Sequence, residues 1–296
     1  MLTIFSCPKP FRGHINIIQR NAIKSWTLLR PRPEIILIGD EEGTAEICKE
    51  FGLRHVPKVE RNEYGTPLVS SIFEIGQSEA TNSLLCYVNA DIILMSDFME
   101  AIKQLRYQNN KFLLVGRRWD IELQEMLDYC QWDWENKLRQ RLAKHGKLHP
   151  KTGLDYFIFP KGLWDELPSF ALGRTIWDNW LIYKAHTINS IIIDATQVII
   201  AVHQNHDFSH YPGGKEAIWK GIEARRNLEL GGKWSKIFCL ADVTHILTSQ
   251  GIKRVPIHNR IWRRMITLPA FFRPARFLAE MIWIMVRPFI NLNKNL

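Results

Sequence analysis

Short apolar runs alternate with helical repeats along the first 115 residues of the chain. Apolar runs at 2–5, 34–38, 84–88 and 111–115 predict buried strands, and between them apolar residues recur every three or four positions, as on one face of a helix. Strands separated by helices of this length favour a parallel sheet, in which ligands lie beyond the carboxyl ends of the strands. The residues that follow each strand are therefore the first candidates for function.

The second half of the chain is less regular. Residues 120–145 are polar and rich in tryptophan and predict a long helix, and apolar runs at 156–159, 191–193 and 198–202 predict three further strands. We expect a single α/β domain built on a Rossmann-like sheet that is mixed but mainly parallel and is flanked by helices. A helical, amphipathic extension is expected to follow it.

The composition excludes several classes of protein. Of the 296 residues, 46% are hydrophobic and 23% are charged, which rules out a disordered, collagen-like or simple coiled-coil chain. The five cysteines are scattered and form no C-x-x-C pair, so we expect neither a disulfide framework nor a cysteine zinc site, and we expect a reducing, cytoplasmic compartment. We find no signal peptide and no apolar run long enough to predict a membrane-spanning helix.

Basic charge is concentrated near the carboxyl-terminal end. The formal net charge is +9, and residues 253–294 contain nine lysines and arginines but a single acid, Glu280. Aromatic and aliphatic residues lie among these charges, which is typical of a helix at an anionic membrane surface. A closing helix packed on the domain or a homodimer contact is the alternative. Because the basic cluster lies in an apolar tail, nucleic-acid binding is not expected.

A strand that ends in an acidic motif is the first chemical signal. The apolar run 84–88 is followed directly by Asn89 and Asp91, which an extended backbone would place on the same side. A carboxylate at the end of a buried strand is costly unless a cation or hydrogen bonds meet it. Mg²⁺ or Mn²⁺ with a bound diphosphate would meet it, since these ions prefer oxygen ligands. The alternative is a turn whose side chains cap the next segment.

A pair of histidines is the second signal. His203 and His206 follow the apolar run 198–202, and neutral imidazole is a good ligand for Mn²⁺. Two loop histidines that bond to backbone carbonyls are the alternative. The spacing differs from the helical H-E-x-x-H pattern of zinc hydrolases.

The segment 211–215 contains two glycines followed by Lys215 and is the third signal. A glycine-containing basic loop can approach a pyrophosphate closely and stabilise its charge. It lacks the spacing of a P-loop, and a solvated turn is the alternative.

In this order along an alternating α/β chain, the motifs resemble the nucleotide-diphosphosugar glycosyltransferases with the A-type fold, and their family-2-like members in particular. Residues 89–91 stand where that superfamily has its D-x-D motif, whose last Asp binds the divalent metal that bridges the two phosphates. Asp91 holds that position here, and Asn89 replaces the first Asp. The resemblance covers residues 1–210 and does not identify the exact family.

The resemblance implies roles for the candidate residues. Asp91 and His203, with His206 close behind, would hold the metal, and Asp178 would be the general base that deprotonates the acceptor hydroxyl. From the residues alone, Asp178 could instead be a helix cap. Residues implied to contact the nucleotide sugar are Pro8, Lys9, Asp40, Thr66, Asn89 and Lys215, and those implied to contact the acceptor are Asp155, Trp177 and Trp180. Core packing is the alternative for the two tryptophans.

The resemblance also implies that different segments of the chain have different functions. Residues 1–115 would be the nucleotide-sugar-binding half, residues 116–250 the acceptor-binding and metal-completing half of the same domain, and residues 251–296 a basic amphipathic tail.

The expected activity is metal-dependent transfer of a sugar from a nucleotide diphosphosugar, a UDP-sugar by preference, to a hydroxyl of a saccharide or glycolipid. We expect inversion, a hexosyltransferase in polysaccharide biosynthesis, and peripheral attachment to the inner face of the membrane through the tail. A sugar-phosphate nucleotidyltransferase is the rival enzyme, but residues 7–13 match its glycine-rich basic loop poorly. A non-catalytic nucleotide- or nucleic-acid-binding protein is the third possibility.

Overall fold

The computed structural model describes residues 2–105, 111–207, 214–232 and 236–258. The strands within them are β1 (Leu2–Ser6), β2 (Glu34–Ile38), β3 (Arg54–Val56), β4 (Leu84–Val88), β5 (Ile92–Ile93), β6 (Phe112–Val115), β7 (Arg118–Ile121), β8 (Lys147–Leu148), β9 (Tyr156–Pro160), β10 (Ile191–Asp194), β11 (Ala201–Gln204), β12 (His245–Thr248) and β13 (Gly251–Arg254). The helices are α1 (Gly13–Leu28), α2 (Thr44–Phe51), α3 (Val69–Glu79), α4 (Ser96–Gln104), α5 (Trp134–His145), α6 (Trp177–Thr187), α7 (Gly214–Lys220) and α8 (Ile222–Leu230).

A nine-stranded sheet forms the centre of the fold. Its strand order is β13-β12-β10-β6-β9-β4-β1-β2-β3. Strand β9 runs antiparallel to both of its neighbours and β13 runs antiparallel to β12, while the remaining pairs are parallel. The predicted fold class, an α/β fold on a mixed and mainly parallel sheet, is therefore confirmed.

Alternate residues of the central strands are buried on opposite faces of this sheet. In β4, Cys86 and Val88 join one hydrophobic cluster, and Leu85 and Tyr87 join the other. This is why the strands read as continuous apolar runs in the sequence rather than as alternating ones. Helices on both faces cover them, so polar side chains collect at the strand ends.

A second sheet of four short strands carries much of the candidate site. Its order is β5-β11-β7-β8, and the only parallel pair within it is β11 with β7. Strand β5 follows β4 after a three-residue turn, so the chain passes directly from the large sheet into the small one. The carboxyl end of β4 thus lies beside β11 and β7.

Several sequence-based boundaries need correction. The helix predicted for 120–145 begins only at Trp134, because Arg118–Ile121 pairs with β11 and β8 as a strand, and tertiary pairing here overrides the local pattern. The strand predicted for 198–202 is displaced to Ala201–Gln204. Gly214 and Lys215, expected in a loop, lie in helix α7.

The predicted division of the chain stays a prediction. The large sheet takes strands from both sides of residue 115. Most of the predicted amphipathic tail, from residue 259 onward, lies outside the described residues, as does the segment 208–213. Among the helices that are described, none is long and apolar enough to cross a membrane.

Candidate active site

The turn between β4 and β5 brings the predicted metal ligands together. The amide of Ile92 donates to the carbonyl of Asn89 (3.1 Å) and so closes the turn after β4. In the small sheet, Ile92 is in register with His203 of β11. Asp91 is therefore placed next to His203 by strand pairing, although the two residues are far apart in sequence.

Asp91, His203 and His206 form a cluster whose three candidate ligand atoms lie within 4.8 Å of one another. Oδ2 of Asp91 is 3.5 Å from Nε2 of His206 and 3.9 Å from Nε2 of His203. Asp91 is only 9% exposed, and among the described residues its Oδ1 has no hydrogen-bond partner. A buried carboxylate with one oxygen next to two imidazoles and the other without a partner among the described residues fits a divalent cation. The mixed nitrogen and oxygen donors suit Mn²⁺ better than Mg²⁺.

Lys9 lies over this cluster. Its Nζ is 3.3 Å from Nε2 of His206 and 4.0 Å from Oδ2 of Asp91. The buried side chain of Gln19 in α1 fixes the loop, because it accepts a hydrogen bond from the Lys9 amide (2.7 Å) and donates one to the Lys9 carbonyl (2.8 Å). Loop 7–10 therefore presents an ammonium group to the cluster from the end of β1.

The charges of this cluster are strongly coupled. Burial on its own would raise the pKa of Asp91, but hydrogen bonding from His206 and the charges of His203 and Lys9 hold it far below its usual range. Burial lowers the pKa of Lys9, and the carboxylates of Asp91 and Asp155 oppose that effect. Asp91 is thus ionised and ready to bind a cation.

Strand β7 contributes a second carboxylate that the sequence did not suggest. Asp120 is in register with His203, and its Oδ1 lies 3.2 Å from Nδ1 of that ring without hydrogen-bond alignment. Its Oδ2 accepts a hydrogen bond from Nδ1 of His149 (2.6 Å), and its Oδ1 accepts one from Nε of Arg118 (2.9 Å). Burial alone would raise the pKa of Asp120, but these donors hold it far below its usual range.

Asn89 has different partners from Asp91. Its amide nitrogen donates to Oδ1 of Asp155 (2.8 Å), and its side-chain oxygen accepts from the Tyr87 hydroxyl (3.0 Å). Arg118 donates to the same Oδ1 of Asp155 (2.7 Å), while the buried Oδ2 has no hydrogen-bond partner among the described residues. The extended geometry predicted for 89–91 is wrong, because the strand ends at Val88 and a turn follows.

Asp178 lies in the first turn of α6, one residue after the helix begins. The N-cap is Ile176, whose φ of 78° is unusual for a β-branched residue, so Asp178 is not the helix cap. Burial raises the pKa of Asp178 to about 7 and the charge of Asp155 adds to the rise, while the backbone amides of Asn179 and Leu154 oppose it. A carboxyl group with a pKa near neutrality is suited to accept a proton from a substrate.

The two tryptophans beside Asp178 are buried. Trp177 is 4% exposed and packs against Tyr87, Phe157 and Phe73, and Trp180 is 8% exposed and packs against Phe170. This burial agrees with the core-packing alternative, and contact of Trp177 or Trp180 with an acceptor stays a prediction.

Asp40 and Thr66 lie apart from the metal cluster. Asp40 is exposed and forms an ion pair with Arg61 (2.6 Å), at the edge of an open cavity of about 690 Å³ lined largely by residues 57–61. Oγ1 of Thr66 accepts a hydrogen bond from Arg174 (3.3 Å), which also pairs with the buried Glu223 of α8 (2.8 Å). Contact of Asp40 and Thr66 with a nucleotide stays a prediction.

The remaining predicted residues are less informative. Pro8 is buried in the loop that carries Lys9. The side chain of Lys215 is not among those described. Sequence reasoning missed Arg118, Asp120 and His149, and the one available signal was the alternation of Arg118 and Asp120 directly after the strand at 112–115.

In the comparisons with known proteins, this chain is similar to solved structures only. No family model and no curated protein matches the chain. A mannosyltransferase, PcManGT from Pyrobaculum calidifontis in complex with GDP-Man and Mn²⁺, is 15% identical with a TM-score of 0.43 over 68% of this chain and 56% of its own. Glucosyl-3-phosphoglycerate synthase from Mycobacterium tuberculosis in complex with Mn²⁺, UDP and phosphoglyceric acid is 14% identical, with a TM-score of 0.46 over 79% of each chain.

TarS from S. aureus (residues 1–349) in complex with UDP is 11% identical, with a TM-score of 0.32 over 40% of this chain and 36% of its own. The chain thus spans little more than half the length of the mannosyltransferase and about a third of that TarS fragment. At such low similarity, the function has to come from the geometry of the site.

Proposed function

We propose that this protein is a metal-dependent glycosyltransferase that moves a sugar from a nucleotide diphosphosugar to a hydroxyl group. The observation that carries the proposal is the convergence of Asp91, His203 and His206 at the end of β4, with an unpartnered carboxylate oxygen on Asp91. Three such ligands on strand ends leave room for substrate oxygens, as metal sites that share phosphates require.

The metal would be Mn²⁺ or Mg²⁺, held by Asp91, His203 and His206, and it would supply positive charge to the diphosphate. Lys9 adds a second cation from the loop after β1, within 4.0 Å of the Asp91 carboxylate. A leaving diphosphate gains negative charge as the glycosidic bond breaks, so a fixed ammonium group at this position stabilises the transition state more than the ground state.

Asp178 is the proposed general base. With a pKa of about 7 it is partly ionised at neutral pH, and its carboxylate can accept the proton of the attacking hydroxyl. The proposal of inversion follows from this role, because a base that activates the acceptor favours a single displacement. Asp155 shares the site, and its unpartnered Oδ2 can accept a hydrogen bond from a sugar hydroxyl.

The substrates and surroundings are proposed more broadly. The donor is a UDP-sugar by preference, and its base and ribose would contact Asp40, which lines the open cavity, and Thr66, which bonds to Arg174. The acceptor is a saccharide or glycolipid, as in polysaccharide synthesis. The basic, apolar composition of residues 253–294 supports attachment to the inner face of a membrane, with a homodimer contact as the other use of that surface.

A donor hydrolysis and transfer screen tests this function. The protein is incubated with UDP- and GDP-linked hexoses and Mn²⁺, with and without simple saccharides, and release of the nucleoside diphosphate is followed. We expect release with one donor class that stops when Mn²⁺ is chelated and in Asp178→Asn. Release that is unaffected by chelation, or no release with any donor, would contradict the proposal.

A further inference from the structure

A row of polar side chains in the small sheet leads to His203, and the proposed reaction assigns no role to the residues behind that ligand. The row runs from His149 through Asp120 to His203, with Arg118 bonded to the same carboxylate. Asp120 and His203 are cross-strand partners in the parallel pair of β7 and β11, so the backbone fixes their separation. This row of side chains reaches the His203 ring at Nδ1, whereas Asp91 lies nearest to Nε2.

The two nitrogens of His203 face different groups. Nε2 lies 3.9 Å from Oδ2 of Asp91, inside the proposed metal site, and Nδ1 lies 3.2 Å from Oδ1 of Asp120. In a neutral imidazole one nitrogen carries the proton and the other offers a lone pair. Only the form protonated at Nδ1 leaves Nε2 free to bind a metal.

Asp120 is equipped to select that form. Its two oxygens accept hydrogen bonds from Arg118 and His149, and a carboxylate offers acceptors and no donor to His203. A proton on Nδ1 of His203 would lie close to an acceptor, 3.2 Å from Nδ1, whereas a bare Nδ1 would place its lone pair near the carboxylate. Ligating histidines generally donate their other ring N–H to such a group.

The far end of this row of side chains holds Asp120 in place. Nδ1 of His149 bonds to Oδ2 of Asp120, and the His149 amide donates to the carbonyl of Arg118 (2.9 Å). The ring of His149 lies against Gly153, where a Cβ atom would come within 2.5 Å of the imidazole. Glycine at this position is what allows the ring to reach Asp120.

We infer that Asp120 is a positioning residue, held by His149 and Arg118, that fixes His203 as the tautomer protonated at Nδ1 and so turns Nε2 toward the metal. The inference rests on the proposed metal site but makes a separate statement about the protein without metal. Binding at Nε2 is expected to bring Nδ1 and Asp120 into hydrogen-bond alignment.

The tautomer is measured directly by nitrogen NMR on protein labelled with ¹⁵N-histidine, at about pH 8, above the ordinary pKa of histidine. The His203 signals are assigned by their absence in His203→Gln. We expect a protonated Nδ1 and a bare Nε2 in the wild-type protein without metal. A His203 protonated at Nε2 would overturn the inference whatever the enzyme does.

The second measurement is Mn²⁺ affinity by electron paramagnetic resonance. Asp120→Ala is expected to weaken it by about 10- to 100-fold, as outer partners of metal ligands do elsewhere, while the exposed control Asp165→Ala leaves it unchanged. Equal Mn²⁺ affinity in a folded Asp120→Ala and the wild type would overturn the inference. If the wild type binds no Mn²⁺, the metal site itself fails, and the NMR result still decides the tautomer.

Discussion

An aromatic layer and a polar network lie next to each other and differ in how the chain builds them. The layer packs rings on one face of the large sheet, from Phe5, Phe73, Tyr87, Phe157, Phe159 and Trp177. The network joins charged groups at the small sheet, from Lys9, Asp91, Arg118, Asp120, His149, Asp155, His203 and His206. Rings can be exchanged within a core at moderate cost, whereas each charge here depends on a specific partner.

The two regions meet at two strand or helix ends. Tyr87 belongs to the aromatic layer and its hydroxyl bonds to Asn89, and Trp177 belongs to the layer and immediately precedes Asp178. The aromatic layer therefore positions Asn89 and Asp178 at the edge of the candidate site, and the polar network supplies most of the site's charged groups. We expect changes in the layer to affect stability and changes in the network to affect binding and catalysis.

The largest expected effect is on the transfer rate, and it comes from a substitution at Asp178. Asp178→Asn keeps the shape of the side chain but removes the base, so transfer should fall by about 10²- to 10⁴-fold. Steady-state rates measure this, and the Mn²⁺ affinity should stay close to that of the wild type. The exposed Asp165→Asn is the control, and a rate within a few-fold of wild type in Asp178→Asn would remove Asp178 from the mechanism.

The aromatic layer should show the opposite behaviour. Trp177→Ala opens a cavity among Tyr87, Phe157 and Phe73 and should lower the free energy of unfolding by about 3–5 kcal/mol. Chemical denaturation measures it. The matched control is Trp132→Ala, since Trp132 is 92% exposed and its loss should change little. Equal stabilities of the two variants would contradict core packing for Trp177.

The aromatic layer could be predicted from the sequence more completely than the polar network. The layer was accessible because its rings lie in continuous apolar runs such as 84–88 and 156–159, which periodicity identifies. Asp91, His203 and Lys9 were accessible because they follow strands of a predicted parallel sheet, where functional groups collect. The structure brings these three together, and their catalytic roles stay predictions.

Other parts of the network could not be read from the sequence. Asp120 was assigned to a helix because the polar run 120–145 hides a strand that forms only by pairing with β11. Without that pairing nothing connects Asp120 to His203 or to His149. The burial of Trp177 and Trp180 could not be predicted from the sequence either, because burial is a property of the whole fold.

The pH dependence gives a further test, because Asp178, next to Trp177 of the aromatic layer, has a pKa near neutrality. Asp178 must be ionised to act, so the rate should rise as pH increases toward its pKa of about 7 and fall about tenfold per pH unit below it. The contribution of Asp178 to the free energy of unfolding should instead decrease as pH rises. The folded state holds the Asp178 proton more tightly than the unfolded state, whose ordinary pKa is 3.8, so this group's contribution falls as pH rises from 3.8 to about 7.

A rate profile and urea denaturation at several pH values measure both effects. The stability slope over that window should become less negative in Asp178→Asn, which cannot titrate. A wild-type rate that does not change between about pH 5 and pH 8 would contradict a base with this pKa.

The smallest expected effect is at Lys9. Lys9→Met keeps the apolar stem and removes the charge above Asp91, so affinity for a nucleoside diphosphate should fall by about 10-fold while Mn²⁺ affinity is retained. Titration calorimetry measures both. The exposed Lys144→Met of α5 is the control, and unchanged diphosphate affinity in Lys9→Met would remove Lys9 from the donor site.

The central claim is that Asp91, His203 and His206 hold a divalent metal that binds a nucleoside diphosphate. The most direct test is the melting temperature of the wild type and Asp91→Ala with UDP, GDP, CDP or ATP, each with and without Mn²⁺. A ligand that binds only the folded state raises the midpoint. We predict a Mn²⁺-dependent increase with one nucleoside diphosphate, UDP by preference, that is lost in Asp91→Ala. No increase with any nucleotide, or the same increase in Asp91→Ala, would contradict the claim.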